Sequence, residues 1–170
     1  MLVAFLRGVN VGGSRRISTT LLAKQLERYD VVNIGATGLF VVRARVSREK
    51  FREELLKRLP FEANVALCDA KEIFALEESD PFANELPDLV PFVSVLYGRT
   101  QRIPELPISI PAKGEWYVRI LGRTGQLAFG VYRKHLKTIS YLGKIDAALG
   151  VPVTTRNWRT IENVLRVLRS

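Results

Sequence analysis

Apolar residues fall along the chain in short runs at two spacings, and their alternation predicts the elements. Leu2 to Leu6 is continuously apolar and bounded by Arg7 and Gly8, the pattern of a buried strand. The loop Gly8-Val9-Asn10-Val11-Gly12-Gly13-Ser14-Arg15-Arg16 follows. Ser18 offers a capping hydroxyl to a helix in which Leu21, Leu22, Gln25 and Leu26 recur at near-helical spacing. Val31 to Ile34 and Leu39 to Val42, separated by Gly35-Ala36-Thr37-Gly38, read as a hairpin. Ser47 caps a second helix whose Phe51, Leu55, Leu56 and Leu59 form one apolar stripe before Pro60 stops it. Asn64 to Cys68 is another strand. This β-α-β-β-α-β order is the split pattern of ferredoxin-like folds.

The remainder is less regular. Asp69-Ala70-Lys71-Glu72 is a variant capping box ahead of Ile73, Phe74 and Leu76. Ser79 to Pro91 has three prolines and no periodicity, as a connection would. Phe92 to Tyr97 resumes as a strand, and Arg99 to Gly114, with Pro104, Pro107 and Pro111, reads as an extended loop. Trp116 to Leu121 and Gln126 to Tyr132 flank Gly122-Arg123-Thr124-Gly125 as a second hairpin. Ile139, Leu142, Ile145 and Leu149 share one helical face that Gly150 and Pro152 end. Asn157 caps a last helix carrying Trp158, Ile161, Leu165 and Leu168 inward. The expectation is an α+β protein of two ferredoxin-like (βαββαβ-type) subdomains packed as one compact unit. Residues 1–78 form the first half, 79–90 a connection and 91–170 the second half, with no sequence repeat between the halves.

Composition narrows the class. With 170 residues, 47% hydrophobic and 25% charged, the chain is neither disordered nor a disulfide scaffold. A single cysteine, Cys68, excludes an intrachain disulfide and suits a reducing compartment, so a cytoplasmic protein is expected. No apolar run approaches the roughly 20 residues of a membrane span, and no membrane partner is expected. The net charge of +9 is uneven: +7 over residues 1–58, −7 over 59–98 and +9 over 99–170. Pairing of the acidic and basic blocks within the fold is one reading, and attraction of phosphates to the basic C-terminal part is the other.

The first loop is the leading candidate for chemistry. Gly8 and Gly13 have the separation found in phosphate-binding loops, but Ser14-Arg15 stands where Lys-Ser/Thr would follow, which argues against a nucleoside triphosphatase. What remains is a set of glycines permitting unusual backbone angles, with Arg15 and Arg16 beside them, able to hold an anion or simply to make a tight turn. The lone histidine, His135, sits in Arg133-Lys134-His135 without a neighbouring carboxylate. No spacing of Cys, His, Asp or Glu resembles a metal site, and no cofactor is expected. Tyr117 and Arg119 on one strand, with Tyr132 and Arg133 on its partner, are the candidate nucleic-acid surface.

Two motifs carry a family resemblance. Phe5-Leu6-Arg7-Gly8-Val9-Asn10-Val11-Gly12-Gly13 near the start and Thr154-Thr155-Arg156-Asn157-Trp158-Arg159-Thr160 near the end resemble the bacterial domain-of-unknown-function family 1697. Its members open with Leu-Arg-Gly-Ile/Val-Asn-Val-Gly-Gly and close with Thr-Thr-Arg-Asn-Trp. The resemblance implies two ferredoxin-like subdomains and no particular reaction. The chain departs from the family pattern at Thr37-Gly38-Leu39 (Ser-Gly-Asn in relatives) and at Thr138-Ile139-Ser140 (Ser-Lys-Leu). It departs again at Ile103 to Pro111, where relatives tend to have a helix.

These readings converge on a non-enzymatic module for a small phosphate- or carboxylate-bearing ligand. Arg7, Asn10, Gly12, Gly13, Ser14 and Arg15 form its primary site, and Thr155, Arg156, Asn157 and Trp158 a second wall. The structural counter-reading has Asn10 and Asn157 fixing loops and Trp158 stapling the last helix. The alternatives are single-stranded nucleic-acid binding through the basic C-terminal half, and an enzyme of undefined reaction for which no base can be named. Nothing in the sequence specifies an oligomeric state.

Overall fold

The computed structural model describes residues 1–98 and 104–170. It is a mixed α/β protein with two antiparallel sheets and six α-helices among the described residues. The chain divides into two compact units, Met1–Phe74 with Glu162–Ser170, and Ala75–Ile161.

In the first unit the predicted elements form in order: β1 (Leu2–Leu6), α1 (Thr19–Gln25), β2 (Val31–Asn33), β3 (Leu39–Val42), α2 (Arg48–Leu56) and β4 (Val65–Asp69). The sheet order is β2-β3-β1-β4. Val3 pairs with Val41 on one side and Cys68 on the other, and β1 is buried throughout. The helix starts follow the local chemistry. Ser18 Oγ accepts from the Leu21 N–H and Ser47 Oγ from the Lys50 N–H, each relieving an orphan donor of a first turn. Leu22, Leu26, Phe51 and Leu55 bury against Leu2, Ala4, Leu6, Phe40 and Val42, whereas Leu21 and Leu56 are exposed. Gly38 sits at φ 73°, and a Cβ there would lie 2.7 Å from Leu6 Cβ, so the hairpin bend needs glycine for both reasons.

The helix α3 (Ala70–Glu78) begins as the variant capping box predicts, with Glu72 accepting from the Asp69 N–H at 2.7 Å. The second unit continues with β5 (Val90–Leu96), β6 (Ile108–Ile110), β7 (Val118–Thr124), β8 (Leu127–Tyr132), α4 (Thr138–Leu142), α5 (Ile145–Leu149) and β9 (Val153–Asn157). The helix α6 (Trp158–Arg169) closes the chain. The second sheet runs β6-β7-β8-β5-β9. Leaving aside the edge strand β6, β5, β7, β8 and β9 are ordered as β1, β2, β3 and β4 are in the first sheet.

Three local expectations change. The proline-rich stretch is not all loop: β6 pairs with β7 between Pro107 and Pro111, because an edge strand tolerates flanking residues that lack a donor. Residues 99–103 of that expected loop lie outside the described residues. The second hairpin turns at Gly125-Gln126, since Thr124 pairs with Leu127, and Gly122 belongs to β7 beside a bulge. A Cβ on Gly122 would come 2.3 Å from Phe129 Cζ, so this glycine makes room for a ring across the sheet. The expected helix bearing Ile139 to Leu149 is two short helices separated at Gly143-Lys144, and Ile139 is 77% exposed. Glycine costs a helix interior about 1 kcal/mol relative to alanine, which favours the break there.

No helix among the described residues is long and apolar enough to cross a membrane.

Candidate functional site

The glycine loop is shaped by Asn10. Its backbone is left-handed at φ 57°, its N–H donates to the Arg15 carbonyl, and its Oδ1 accepts from the Ile17 N–H at 2.9 Å. Its Nδ2 donates to the Ile17 carbonyl at 3.0 Å and the Ala36 carbonyl at 2.7 Å. Thr19 Oγ1 adds a second strap to the same hairpin through the Gly35 carbonyl. Both amide hydrogens of Asn10 are thereby engaged, so this residue builds the loop.

Beyond Asn10 the chain turns through Gly12 (φ 69°) and Gly13 (φ 96°). These glycines, with Arg16, Ile17, Ser18 and Ala36, line an open depression of about 540 Å³. No heavy atom lies within 4 Å of a Cβ built on Gly12 or Gly13, so the conformation and not crowding calls for glycine. Arg16 is the cation at this depression; Arg15 lines a different one, with its guanidinium 5.9 Å from the Phe61 ring centre. Ser14 is exposed in the loop. Arg7 is half-buried at the end of β1, and its backbone N–H donates to the Asn64 carbonyl. Arg16 is legible only as one of two adjacent arginines; which of them faces the glycines depends on how Asn10 closes the loop.

The closing motif belongs to the second unit, on β9 and the first turn of α6. Thr155 pairs with Ser94 across the sheet, their hydroxyls 2.7 Å apart. Arg156 Nη1 donates to Thr154 Oγ1 and to the Thr155 carbonyl, both at 2.9 Å. Burial pushes the Arg156 guanidinium below its ordinary pKa, with the nearby Tyr97 pulling the other way. Asn157 Oδ1 accepts from the Thr160 N–H at 2.9 Å and its hydroxyl at 2.8 Å, the predicted cap. Trp158 packs edge-on against Phe82 at 5.2 Å, and Phe82 in turn meets Phe129. The segment read as a plain connection thus supplies an aromatic anchor, a role that a single phenylalanine among prolines does not advertise.

The candidate nucleic-acid residues are occupied within the unit. Tyr117 is 7% exposed, stacked on Tyr141 with ring centres 5.1 Å apart, and Tyr132 stacks on Phe92. Arg119 and Arg133 lie over the ring of Trp116 at 4.1 and 4.4 Å. Cys68 is buried in β4, and among the described residues no group of His, Cys, Asp and Glu is arranged to hold a metal ion.

Two antiparallel sheets with helices, and a glycine-bent loop after the first strand, define a mixed α/β protein. The chain belongs to the family described as protein of unknown function (DUF1697), whose model matches residues 1–105. The opening motif lies inside that span and the Thr154 to Thr160 motif outside it. No curated protein and no solved structure matches the chain.

Proposed function

We propose that this protein is a binding module for a small anion, seated at the loop between β1 and α1. The observation that carries the reading is the depression walled by Gly12, Gly13, Arg16 and Ser18 and held open by the fully engaged Asn10. Glycines at positive φ leave backbone amides uncovered by side chains, and a guanidinium beside them supplies charge and paired donors. Arg7 and Ser14 adjoin these residues in sequence and complete the proposed primary site, whereas Arg15, which lines the other depression, is left out of it. Thr155, Arg156, Asn157 and Trp158 belong to the other unit and carry none of this argument. The first unit is read as ferredoxin-like on its β2-β3-β1-β4 order, and the second as the same plan with β6 in place of a helix.

The test is a thermal-shift titration with inorganic phosphate, pyrophosphate and citrate. The expected result is a saturable rise in midpoint with one of them, lost in Arg16→Ala, while the ligand-free midpoint stays put because Arg16 is exposed. No rise with any of the three, or a rise that persists in Arg16→Ala, overturns the assignment. Single-stranded nucleic-acid binding is less well supported, because a base cannot stack on the buried Tyr117. Salt-sensitive oligonucleotide binding by both wild type and Arg16→Ala would reverse that order.

A further inference from the structure

A further depression, of about 420 Å³, lies in the unit Ala75–Ile161, apart from the loop between β1 and α1. Its size is in the range of small-molecule sites. One wall is a clamped indole, Trp116, under the guanidiniums of Arg119 and Arg133. Both cations are themselves held. Arg119 Nε donates to Ser109 Oγ at 3.1 Å, and Arg133 Nη1 to Glu115 Oε1 at 3.2 Å. Glu115 also accepts from the Tyr117 hydroxyl at 3.2 Å, and Tyr117 is fixed between Tyr141 and His135. His135 Nδ1 accepts from the Lys137 N–H, which leaves Nε2 as the donor of the neutral ring. The framework around the depression is therefore preorganised.

Three features choose the ligand. Arg133 lines the depression with its side chain 40% exposed, so its guanidinium is within reach of an incoming carboxylate oxygen. Lys134 lines the depression and has no ion pair among the described residues, so it and His135 add donors on the same side. Leu86, 66% exposed, and Leu89 supply an apolar wall, while Asp88 and Glu115, which line the same depression, disfavour a ligand with a second negative charge. We propose that this depression binds a small organic monocarboxylate with an apolar or aromatic body. The carboxylate sits among Arg133, Lys134 and His135, and the body lies on Leu86 and Leu89 beside Trp116.

The test is calorimetric titration of the full chain with phenylacetate, phenylacetamide and phenethylamine. The fluorescence of Trp116 is followed in parallel in a Trp158→Phe background, which leaves it the sole indole. Phenylacetate is expected to bind saturably and to change Trp116 emission, with the amide and the amine each about ten-fold weaker or more. Arg133→Gln is expected to lose a similar factor, and Lys134→Gln with Leu86→Ser, both exposed positions, to lose several-fold without affecting folding. Arg16→Ala should leave this binding unchanged, which separates the outcome from that of the anion loop. Absence of saturable phenylacetate binding at millimolar concentration, or equal binding of the amide, overturns the proposal. Preference for the amine overturns it too, by assigning the depression to Asp88 and Glu115.

Discussion

At Asn10 a left-handed backbone and a carboxamide hydrogen-bonded to Ile17 and Ala36 coincide, so one residue both bends the loop and closes it. Asparagine tolerates that backbone better than most residues and supplies the three bonds glycine cannot. Glycine does the opposite work at positions 122 and 130, where the obstacle is crowding. A Cβ at Gly130 would lie 2.1 Å from the Arg119 carbonyl oxygen and 2.8 Å from Phe92 Cζ, whereas at Gly122 the nearest atoms belong to the half-buried Phe129 ring. A ring can swing and a paired strand cannot. Gly130→Ala is therefore expected to cost about 1–3 kcal/mol in urea unfolding, and Gly122→Ala clearly less. Equal losses would show that Phe129 is held as firmly as the backbone.

The helix α2 shows how an element draws on charges from its surroundings. Glu54 near its end accepts from Arg58 at 3.1 Å and from Arg28, with Lys57 at 3.8 Å. Burial by itself would raise the carboxyl pKa; the Arg58 hydrogen bond and the charges of Arg28, Arg58 and Lys57 outweigh it and hold the group below the ordinary carboxylate range. A carboxylate depressed in the folded state contributes stability above its unfolded pKa and loses it as pH falls through the folded value. Glu54→Gln should accordingly be less stable than wild type at neutral pH, the gap closing as the solution is acidified below the ordinary carboxylate range. Urea midpoints measured across that range check this, and a gap independent of pH would remove Glu54 from the acid limb. The neighbouring Lys57 is raised by the hydrogen bond it donates to Glu53 and is exposed, so it adds little.

At the scale of the molecule, the last nine residues belong with the first unit although the chain reaches them only after completing the second. Arg43, just after β3, donates to the Val167 carbonyl and Ser170 hydroxyl, and the Arg169 guanidinium lies over the Phe74 ring. Val164, Leu165 and Leu168 are buried on the same helix. Leu165→Ala is expected to cost about 2–5 kcal/mol, the usual price of a core cavity, and to register in hydrogen exchange of β1 and β3 amides. A loss confined to amides of the second unit would reassign the end of α6.

The local features were legible because their causes are local. The capping roles of Ser18, Ser47 and Asn157, the left-handed Gly150 after α5 and the strand at Leu2 to Leu6 each depend on residues within a turn or two of one another. Of the candidate site, the glycine loop could be located in the sequence, but not which arginine would face it. The Trp116 clamp was invisible, because Ser109, Glu115, Arg119 and Arg133 meet only through the pairing of β6, β7 and β8. The same holds for the common strand order of the two sheets, which appears in no shared sequence pattern. Hydrophobic period and capping chemistry act over a few residues and so determine elements from sequence. Register, the bulge beside Gly122 and the burial of Tyr117 come from packing between distant segments, and only the tertiary structure decides them.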